Sequence, residues 1–535
     1  MGQVGTRFGR NVPLDRVYPE AEPGLMTPSP RLVSRELLTR DVFAPATSLN
    51  LLAAAWLQFM LHDWFSHGKN EPENPWRVPL PPGDDWYESP MRVLRTRRDP
   101  THTAGDGLPP TYLNTATHWW DGSQLYGSGA DTLAKLRQFE DGRLIVGPDG
   151  LLPVEPESGV DMTGVNGNWW VGLSLMHTLF TLEHNAICRR LRAAYPAWDD
   201  DELFEHARLV NAALMAKIHT VEWTPAIISH PTTRFAMRGN WWGLLQEPGY
   251  RLLGRFSGSE VISGIPGSPT DHHTAPYAMT EEFVAVYRMH PLMPDDYRVL
   301  SAADGRLLRE LPLPDVLGRA ARKLVEEVPM VDLLYSAGVA HPGAVTLHNY
   351  PRFLQRRPEK DGVVNDLATI DVLRDRERGV PRYNQFRRLF HRRAVSGFAD
   401  LTDNPAWAEQ IRRVYDDDIE RVDLMVGLYA EPRPRGFGFS DTAFRVFALM
   451  ASRRLKSDRF FTRDYTPQVY SPAGLEWVDE NTMTTVLLRH FPGLAPALRS
   501  VENAFAPWPK EPSPSPSPRP EGTRRGKGAS APRRR

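Results

Sequence analysis

Apolar residues recur at helical spacing in several long segments of this chain. Over residues 171–194 they recur on one helical face, at Leu173, Met176, Leu179, Phe180, Ile187 and Leu191. This is the period of an amphipathic α-helix, and Pro196 stands just beyond it, where a helix cannot continue. The same spacing predicts further helices at 51–66, 201–222, 315–326, 383–394, 404–432 and 439–456. Alternation typical of β-strands is rare, so the pattern predicts a mainly α fold.

A short helix over 280–290 is predicted from its end signals. Thr280 can cap the first turn, and Glu281 and Glu282 place negative charge near the positive end of the helix dipole. Pro291 disfavours helical conformation in the residue before it. The helix should therefore end near His290.

Regional differences in composition predict how the chain is organised. Residues 1–50 are rich in Pro, Arg and Gly and should form an extended arm packed on the body, which spans 51–506. Within the body, 70–116 is predicted to be irregular and 224–279 to be rich in loops. Residues 507–535 consist largely of Pro, Ser and Arg and should be disordered.

The overall composition is that of an ordinary globular protein. Of 535 residues, 41% are hydrophobic and 24% are charged, and the formal net charge is -1. The segment from Lys510 to Arg535 holds eight Lys and Arg residues and two Glu residues. The rest of the chain therefore carries a net negative charge, which argues against nucleic acid as the main partner.

Cysteine content and hydropathy bear on the cellular compartment. The single cysteine, Cys188, excludes an intrachain disulfide and is typical of a reducing compartment. No apolar run reaches the ~18 residues that span a bilayer. The first residues also lack the apolar core of a secretory signal. We therefore expect a cytoplasmic protein that is soluble or at most peripherally membrane-associated.

One polar pair interrupts the apolar helix predicted at 51–66. Gln58 and His62 are four positions apart, so their side chains project from one face. A histidine whose hydrogen bonds are satisfied within the core would give the same pattern. The alternative is a distal haem pair, in which His62 moves a proton between the oxygens of a bound peroxide and Gln58 orients it.

A second group of polar residues alternates along the chain. Thr117, Trp119, Asp121 and Ser123 fall at every second position, so in an extended loop they would face one side. Two hydroxyls, a carboxylate and a backbone carbonyl are hard oxygen ligands that suit calcium, and Asp63 could add another carboxylate. A solvated turn would show the same spacing.

Two further pairs carry candidate chemistry. Tyr287 and His290 would share one face of the 280–290 helix, with His290 at its end, where a metal could approach. A core tyrosine and a helix-end histidine are the alternative. Arg453 or Arg454, which follow the apolar helical stretch TAFRVFALMAS, could hold a carboxylate bidentately, unless both lie in a solvated helix end.

Six sequence blocks resemble those of a known superfamily in their order along the chain and in their residues. They are WLQFMLHDWFSH, THWWDGSQLYGS, MHTLFTLEHNAICRRL, EEFVAVYRMHPLMPD, RDRERGVPRYNQFRR and MASRRLKSDRFF. Together they resemble the haem peroxidase–cyclooxygenase superfamily and are most similar to fatty-acid α-dioxygenases. The resemblance runs from about Gly5 to Phe505. It implies one large helical haem peroxidase-type domain.

The resemblance assigns roles around a haem. It makes His62 the distal histidine with Gln58 as its neighbour, and His290 the axial iron ligand. Tyr287 matches the tyrosine that carries the catalytic radical in cyclooxygenases and α-dioxygenases. His219 and one of Arg453 and Arg454 match the region that holds the fatty-acid carboxylate in α-dioxygenases.

The resemblance also implies a calcium site. The ligands that carry over are Asp63, Thr117, Trp119 through its carbonyl, Asp121 and Ser123. Because Asp63 adjoins His62 in sequence, calcium would join the distal helix to the loop at 117–123.

The chain departs from the animal-type peroxidases at three positions. Counting back from His177, Asn166 and Trp169 stand where those enzymes carry Arg and Glu. The missing Arg argues against a fast classical peroxidase, and the missing Glu implies noncovalent haem b. Asp371 stands where an Asn usually faces the proximal histidine, and a carboxylate there would raise the basicity of His290.

The activity that the resemblance implies is fatty-acid α-dioxygenation. A trace peroxide would activate the enzyme, a Tyr287 radical would remove hydrogen from carbon 2, and O2 would add there to give a 2-hydroperoxy acid. The alternatives are a haem peroxidase or a dioxygenase that attacks mid-chain. A non-catalytic haem- or calcium-binding protein is a further alternative, against which the presence of both His62 and Tyr287 argues.

Overall fold

Helices supply most of the regular structure in the computed structural model, which describes residues 2–103, 105, 107–270, 277–358 and 364–510. The prediction of a mainly α fold is confirmed. The disorder predicted for the tail falls largely on 511–535, which lies outside the described residues. No helix among those described is long and apolar enough to cross a membrane.

The helices are numbered in chain order. The first twelve are α1 Pro30–Val33, α2 Leu51–Leu61, α3 Ser123–Tyr126, α4 Ala130–Leu136, α5 Val171–Ala194, α6 Asp200–Ile218, α7 Thr224–Ile227, α8 Pro231–Trp242, α9 Gln246–Leu253, α10 Glu260–Ser263, α11 Glu281–Val286 and α12 Gly318–Glu327. The others are α13 Met330–Val339, α14 Leu367–Glu377, α15 Tyr383–Leu389, α16 Phe398–Leu401, α17 Pro405–Val414, α18 Leu424–Ala430, α19 Asp441–Lys456, α20 Pro467–Tyr470, α21 Pro472–Glu480, α22 Met483–His490 and α23 Ala495–Leu498. A π-helical segment, His219–Trp223, joins α6 to α7.

Three short antiparallel ladders complete the described structure. They are β1 Glu71–Val78 with β2 Met91–Arg95, β3 Asp296–Leu300 with β4 Leu307–Pro312, and β5 Arg357–Pro358 with β6 Val364–Asn365. The prediction of irregular structure over 70–116 is wrong for the first ladder. It packs Trp76, Val78, Met91 and Val93 into a separate small core. The prediction that 224–279 is rich in loops is also wrong in part, because α7 to α10 lie there.

Helix α5 is the centre of the main core. Eighteen of its 24 residues are buried, and it packs against α2, α6, α12, α13, α21 and α22. The predicted helix at 171–194 is confirmed at both ends. The single helix predicted over 404–432 is wrong, because the chain breaks into α17 and α18 around Asp416 and Asp417, whose φ angles are positive.

The predicted helix over 280–290 ends earlier than expected. It stops at Val286 with Tyr287 as its C-cap, and His290 opens a separate 3-10 turn, His290–Leu292. Tyr287 and His290 therefore do not share a helical face. The physical reason is that the chain already turns at Met289, whose amide bonds the Tyr287 carbonyl at 2.7 Å. Pro291 disfavours the α conformation only in the residue directly before it.

The N-terminal arm packs on the body but is not simply extended. It contains α1 and the π-helical turn Ser34–Leu38. Arg31 lies 2.7 Å from Asp366 beside α14, and both side chains are buried. At the other end of the chain, the predicted start of disorder at 507 is wrong, because Trp508 is buried and its amide bonds the Gly338 carbonyl at 2.8 Å.

Asp423 joins several elements through its buried carboxylate. Arg376 of α14 donates two hydrogen bonds to it, at 2.7 and 2.6 Å. Arg382 and Tyr415 donate at 2.6 and 2.7 Å. The same Arg376 also donates to the Leu25 carbonyl of the arm at 2.9 Å. The arm, α14 and the segment before α18 are thus connected through one ion pair.

We predict that Asp423→Ala lowers the free energy of unfolding by about 3–5 kcal/mol, because it leaves buried arginines without their anion. Urea denaturation followed by circular dichroism measures this. Asp15→Ala removes an exposed partner of Arg16 and should change the same quantity by less than about 1 kcal/mol. Equal stability of the two variants would show that the Asp423 network does not hold these segments together.

Candidate active site

The proximal side of the site is organised around Asp371 on α14. The His290 Nδ1 atom lies 2.7 Å from Asp371 Oδ2. Tyr350 donates a hydrogen bond to the same oxygen at 2.8 Å, and Arg288 donates to Oδ1 at 2.6 Å. Burial opposes ionisation of Asp371, but His290 and Arg288 outweigh it and lower its pKa to about 2. His290 therefore faces a carboxylate whose charge is shared with an arginine and a tyrosine.

The distal side is carried by α2 and the loop before α5. Trp170 Nε1 donates to Gln58 Oε1 at 2.8 Å, and Gln58 Nε2 donates to the Asn168 carbonyl at 3.1 Å. His62 Nε2 lies 2.5 Å from the Gly167 carbonyl. A carbonyl only accepts, so Nε2 carries the proton in this arrangement. Burial lowers the pKa of His62 to about 4, so its imidazole is neutral at pH 7.

His177 on α5 is a residue that the sequence analysis did not assign to the site. Its ring centroid lies 5.9 Å from that of His62 and 5.0 Å from that of Trp169. Both ring nitrogens are buried without a hydrogen-bond partner. The sequence feature that could have indicated a role for His177 is its position among Leu173, Met176 and Phe180 on the apolar face of α5.

The residues present fit a haem held between the two sides. The His290 side chain is 33% exposed although Asp371 behind it is 1% exposed. The Nδ1 edge of the His290 ring is therefore oriented by a carboxylate, while the rest of the ring remains partly accessible. An axial metal ligand requires this combination. His62 Nδ1 is also buried without a hydrogen-bond partner.

Tyr287 lines a small cavity together with the predicted carboxylate anchors. The cavity measures about 30 Å³, and its wall includes His219, Arg454 and Thr224. The remaining lining residues are mostly apolar or aromatic: Leu61, Trp64, Trp120, Thr220, Met237, Asn240, Phe283, Ala451, Ser452 and Leu455. Burial raises the pKa of Tyr287 well above its usual range, so the phenol keeps its proton.

The structure separates the two candidate arginines. Arg453 is exposed, whereas Arg454 is 3% exposed and lines the cavity. Arg454 Nη1 donates to the Tyr277 carbonyl at 2.6 Å, while its Nε and Nη2 atoms are buried without a partner. Two unpaired guanidinium donors on one side chain match the two oxygens of a carboxylate.

His219 presents a hydrogen-bond donor to the same cavity. Trp56 Nε1 donates to His219 Nδ1 at 3.2 Å. Burial lowers the pKa of His219 to about 3, so the ring is neutral and its one proton resides on Nε2. Thr224, which the sequence analysis missed, follows five residues later, and its hydroxyl bonds the His219 carbonyl at 2.8 Å. The π-helical segment between them places both residues on the cavity wall.

The predicted calcium ligands are brought together only in part. Asp63 and Asp121 both lie beside Ser123, and both Asp63 oxygens are buried without a hydrogen-bond partner. Burial, with a contribution from Asp121, raises the pKa of Asp63 to about 7. Such a carboxylate is destabilised unless a cation compensates it.

The loop at 117–123 forms turns rather than the extended loop that the alternation suggested. Thr117 Oγ1 accepts the Trp119 amide at 3.1 Å, and Asp121 Oδ1 accepts the Ser123 amide at 3.0 Å. The Trp119 carbonyl accepts Trp64 Nε1 at 3.3 Å. Among the described residues no group of three or more His, Cys, Asp or Glu side chains forms a metal cluster. The candidate site therefore combines two carboxylates with neutral oxygens.

The chain is similar to the members of a known protein family. The sequence pattern of the animal haem peroxidase family matches residues 1–505. Alpha-dioxygenase 2 of Arabidopsis thaliana is 37% identical, over 96% of this chain and 82% of that protein. Alpha-dioxygenase PIOX of Pisum sativum is 38% identical, over 96% of this chain and 81% of that protein.

The structural comparison leads to the same group. The crystal structure of the Oryza sativa fatty acid alpha-dioxygenase superposes with a TM-score of 0.88 and 35% identity, covering 95% of this chain and 84% of that one. A tyrosine-to-phenylalanine variant of that rice enzyme, solved with palmitic acid, matches equally well. The chain therefore belongs to the animal haem peroxidase family and, within it, to the alpha-dioxygenases.

Proposed function

We propose that this protein is a haem-dependent fatty-acid α-dioxygenase that adds O2 at carbon 2 to give a 2-hydroperoxy acid. The observation that carries the proposal is the single cavity that Tyr287 shares with His219 and Arg454. A carboxylate held by these two residues lies beside the phenol. Since carbon 2 is the first carbon after the carboxyl group, it is the position that Tyr287 can reach.

Tyr287 carries the hydrogen transfers in this proposal. Its phenoxyl radical takes a hydrogen atom from carbon 2, which restores the phenol and leaves a carbon radical. O2 adds to that carbon, and the resulting peroxyl radical takes the hydrogen atom back from the Tyr287 hydroxyl. The product is the 2-hydroperoxy acid, and the tyrosyl radical is regenerated for the next turnover.

His290, oriented by Asp371, would hold the haem iron, and His62 would serve as the proton acceptor of the site. Haem bound there would supply the one-electron oxidation that forms the Tyr287 radical. His62 is neutral at pH 7 because burial lowers its pKa to about 4, so it can accept a proton from an activating peroxide. For Nε2 to accept that proton, it must first give up its contact with the Gly167 carbonyl, and the ring proton must move to Nδ1, which has no hydrogen-bond partner. Noncovalent attachment of haem b is part of this proposal.

The alternative activities fit these observations less well. Attack at mid-chain requires a carboxylate anchor many carbons away from the tyrosine, whereas His219 and Arg454 share its cavity. A fast peroxidase would use a distal arginine. Asn166 instead donates to the Asp161 carbonyl, and Trp169 packs its ring 6.1 Å from that of His62.

We further propose that calcium binds at Asp63, with Asp121, Ser123, Thr117 and the Trp119 carbonyl as the other ligands. The support is the pair of buried Asp63 oxygens without partners. Calcium would connect the residue next to His62 with the loop that leads into α3. The cation would thereby hold the C-terminal end of the distal helix in place.

We predict that Tyr287→Phe keeps the fold and the haem but abolishes oxygen uptake with palmitate, because phenylalanine cannot form a phenoxyl radical. The measurement is oxygen consumption by haem-loaded protein, with mass analysis of the wild-type product for 2-hydroperoxypalmitate. Peroxide-driven oxidation of a small phenol should persist in Tyr287→Phe, whereas His62→Ala should impair both activities. Palmitate oxygenation at the wild-type rate in Tyr287→Phe would exclude the radical mechanism.

We predict that Arg454→Gln raises KM for palmitate about tenfold to a hundredfold, because a charge-assisted hydrogen bond contributes roughly 1.5–3 kcal/mol. Arg453→Gln is the matched control one position away, and its KM should stay at the wild-type value. Steady-state kinetics measures both, and thermal melts check that Arg454→Gln is folded. The reverse result would assign the carboxylate to Arg453.

We predict that a calcium chelator lowers Tm, because a cation that binds only the folded state stabilises it. Asp63→Asn should melt at the same temperature with and without the chelator. Elemental analysis of protein purified without chelator should find calcium in the wild type. Its absence there would refute the calcium site.

A further inference from the structure

Exposed apolar side chains are concentrated in one stretch of the described chain. Residues 231–263, which we call the apolar cap, comprise α8, α9 and α10. The cap exposes eight large apolar residues: Phe235, Leu244, Leu245, Leu252, Leu253, Phe256, Val261 and Ile262. Leu252 is 82% exposed. Water-soluble surfaces rarely gather so many such residues unless they contact another phase or a partner.

The cap is a folded unit with an inner and an outer face. Trp241 and Trp242 are buried. The Leu244 amide bonds the Val261 carbonyl at 3.1 Å, which ties the end of α8 to α10. Arg255 Nη1 donates to the carbonyls of Ser263 and Gly264 at 3.1 and 2.8 Å. The outer apolar residues are therefore presented by an ordered structure.

The cap also adjoins the route from the Tyr287 cavity to the surface. Four of the residues that line this cavity are partly exposed, and the others are buried: Met237 and Asn240 of α8, and Ala451 and Ser452 of α19. Asn240 Nδ2 donates to Ser452 Oγ at 3.1 Å across this gap. An acyl chain that leaves the cavity by the most exposed part of its wall passes between α8 and α19.

Charge on the cap favours an anionic surface. The segment contains four arginines and two glutamates, so its net charge is positive although the chain as a whole is slightly negative. Apolar side chains flanked by cations are typical of segments that lie in the interface of a bilayer with anionic lipids.

We propose that the apolar cap docks on the surface of a phospholipid bilayer and takes fatty acid from it through the gap between α8 and α19. The delivery of fatty acid rests on the proposed function, whereas the docking itself does not. A bilayer is favoured over a protein partner because the cap combines exposed apolar residues with an excess of arginine over glutamate. Met237 and Asn240 of the same cap line the Tyr287 cavity. Burying Leu252 and Leu253 in the acyl region removes their apolar area from water.

The test is sedimentation of the full-length, haem-loaded protein with vesicles in the absence of substrate. Two vesicle preparations are used, phosphatidylcholine alone and phosphatidylcholine with phosphatidylserine. The double variant Leu252→Glu, Leu253→Glu should lower the partition coefficient about tenfold or more for both, because each leucine contributes roughly 1.5–3 kcal/mol when buried.

A matched control adds the same two negative charges elsewhere. Val42 and Leu108 are 79% and 57% exposed and lie outside the cap. The double variant Val42→Glu, Leu108→Glu should bind vesicles like the wild type. Equal binding by all three proteins, or no binding by the wild type, would overturn the proposal. A wild-type dimer that becomes monomeric only in the cap variant, without vesicle binding, would also overturn it and make the cap an interface between copies.

An activity measurement separates the docking proposal from the proposed function. The cap variant should oxygenate monomeric decanoate in solution at the wild-type rate, but palmitate supplied in vesicles more slowly. Equal rates with vesicle-borne palmitate would overturn the delivery step. If the wild type oxygenates neither acid, the proposed function fails, and with it the delivery step. The vesicle sedimentation would still decide the docking.

Discussion

Asp371 is the carboxylate around which the proximal half of the site is arranged. It is buried on α14 and contacts Arg288 and His290, which lie in one short segment, and Tyr350 from a second segment of the chain. A buried carboxylate without partners is strongly destabilising, so these contacts hold those segments together. The orientation of His290 is therefore decided by a balance of buried charges. The helix that precedes it ends at Val286, so His290 lies outside that helix.

Polar groups without protein partners mark the places where ligands are proposed. Arg454 directs two unpaired donors toward the cavity of Tyr287, and Asp63 keeps two unpaired oxygens beside Asp121. An unsatisfied buried polar group costs roughly 1–3 kcal/mol, and more when it is charged. The surrounding fold must stabilise these positions when no ligand is bound. A fatty-acid carboxylate and a calcium ion would each supply the missing partner.

Whether a helix could be predicted from the sequence depended on whether its buried residues are apolar or charged. Helix α5 was predicted at its observed bounds because its apolar pattern continues over almost seven turns. Helix α14 was missed although it carries Asp371. Its buried residues include five charged ones, namely Asp371, Arg374, Asp375, Arg376 and Glu377. A helix that buries charged residues lacks the apolar periodicity by which helices are predicted. The residues that pair with its charges cannot be identified from the local sequence, because they are distant along the chain.

The sequence by itself determined the family and the residue types that carry the chemistry, since the blocks around His62, Tyr287 and His290 are local and follow one another in a characteristic order. Only the tertiary structure distinguished Arg454, which is buried in the cavity wall, from the exposed Arg453. Neighbouring residues of a helix point about 100° apart, so one of the two must turn away from the cavity. Which one does so depends on the elements that pack against α19, and those lie far away along the chain.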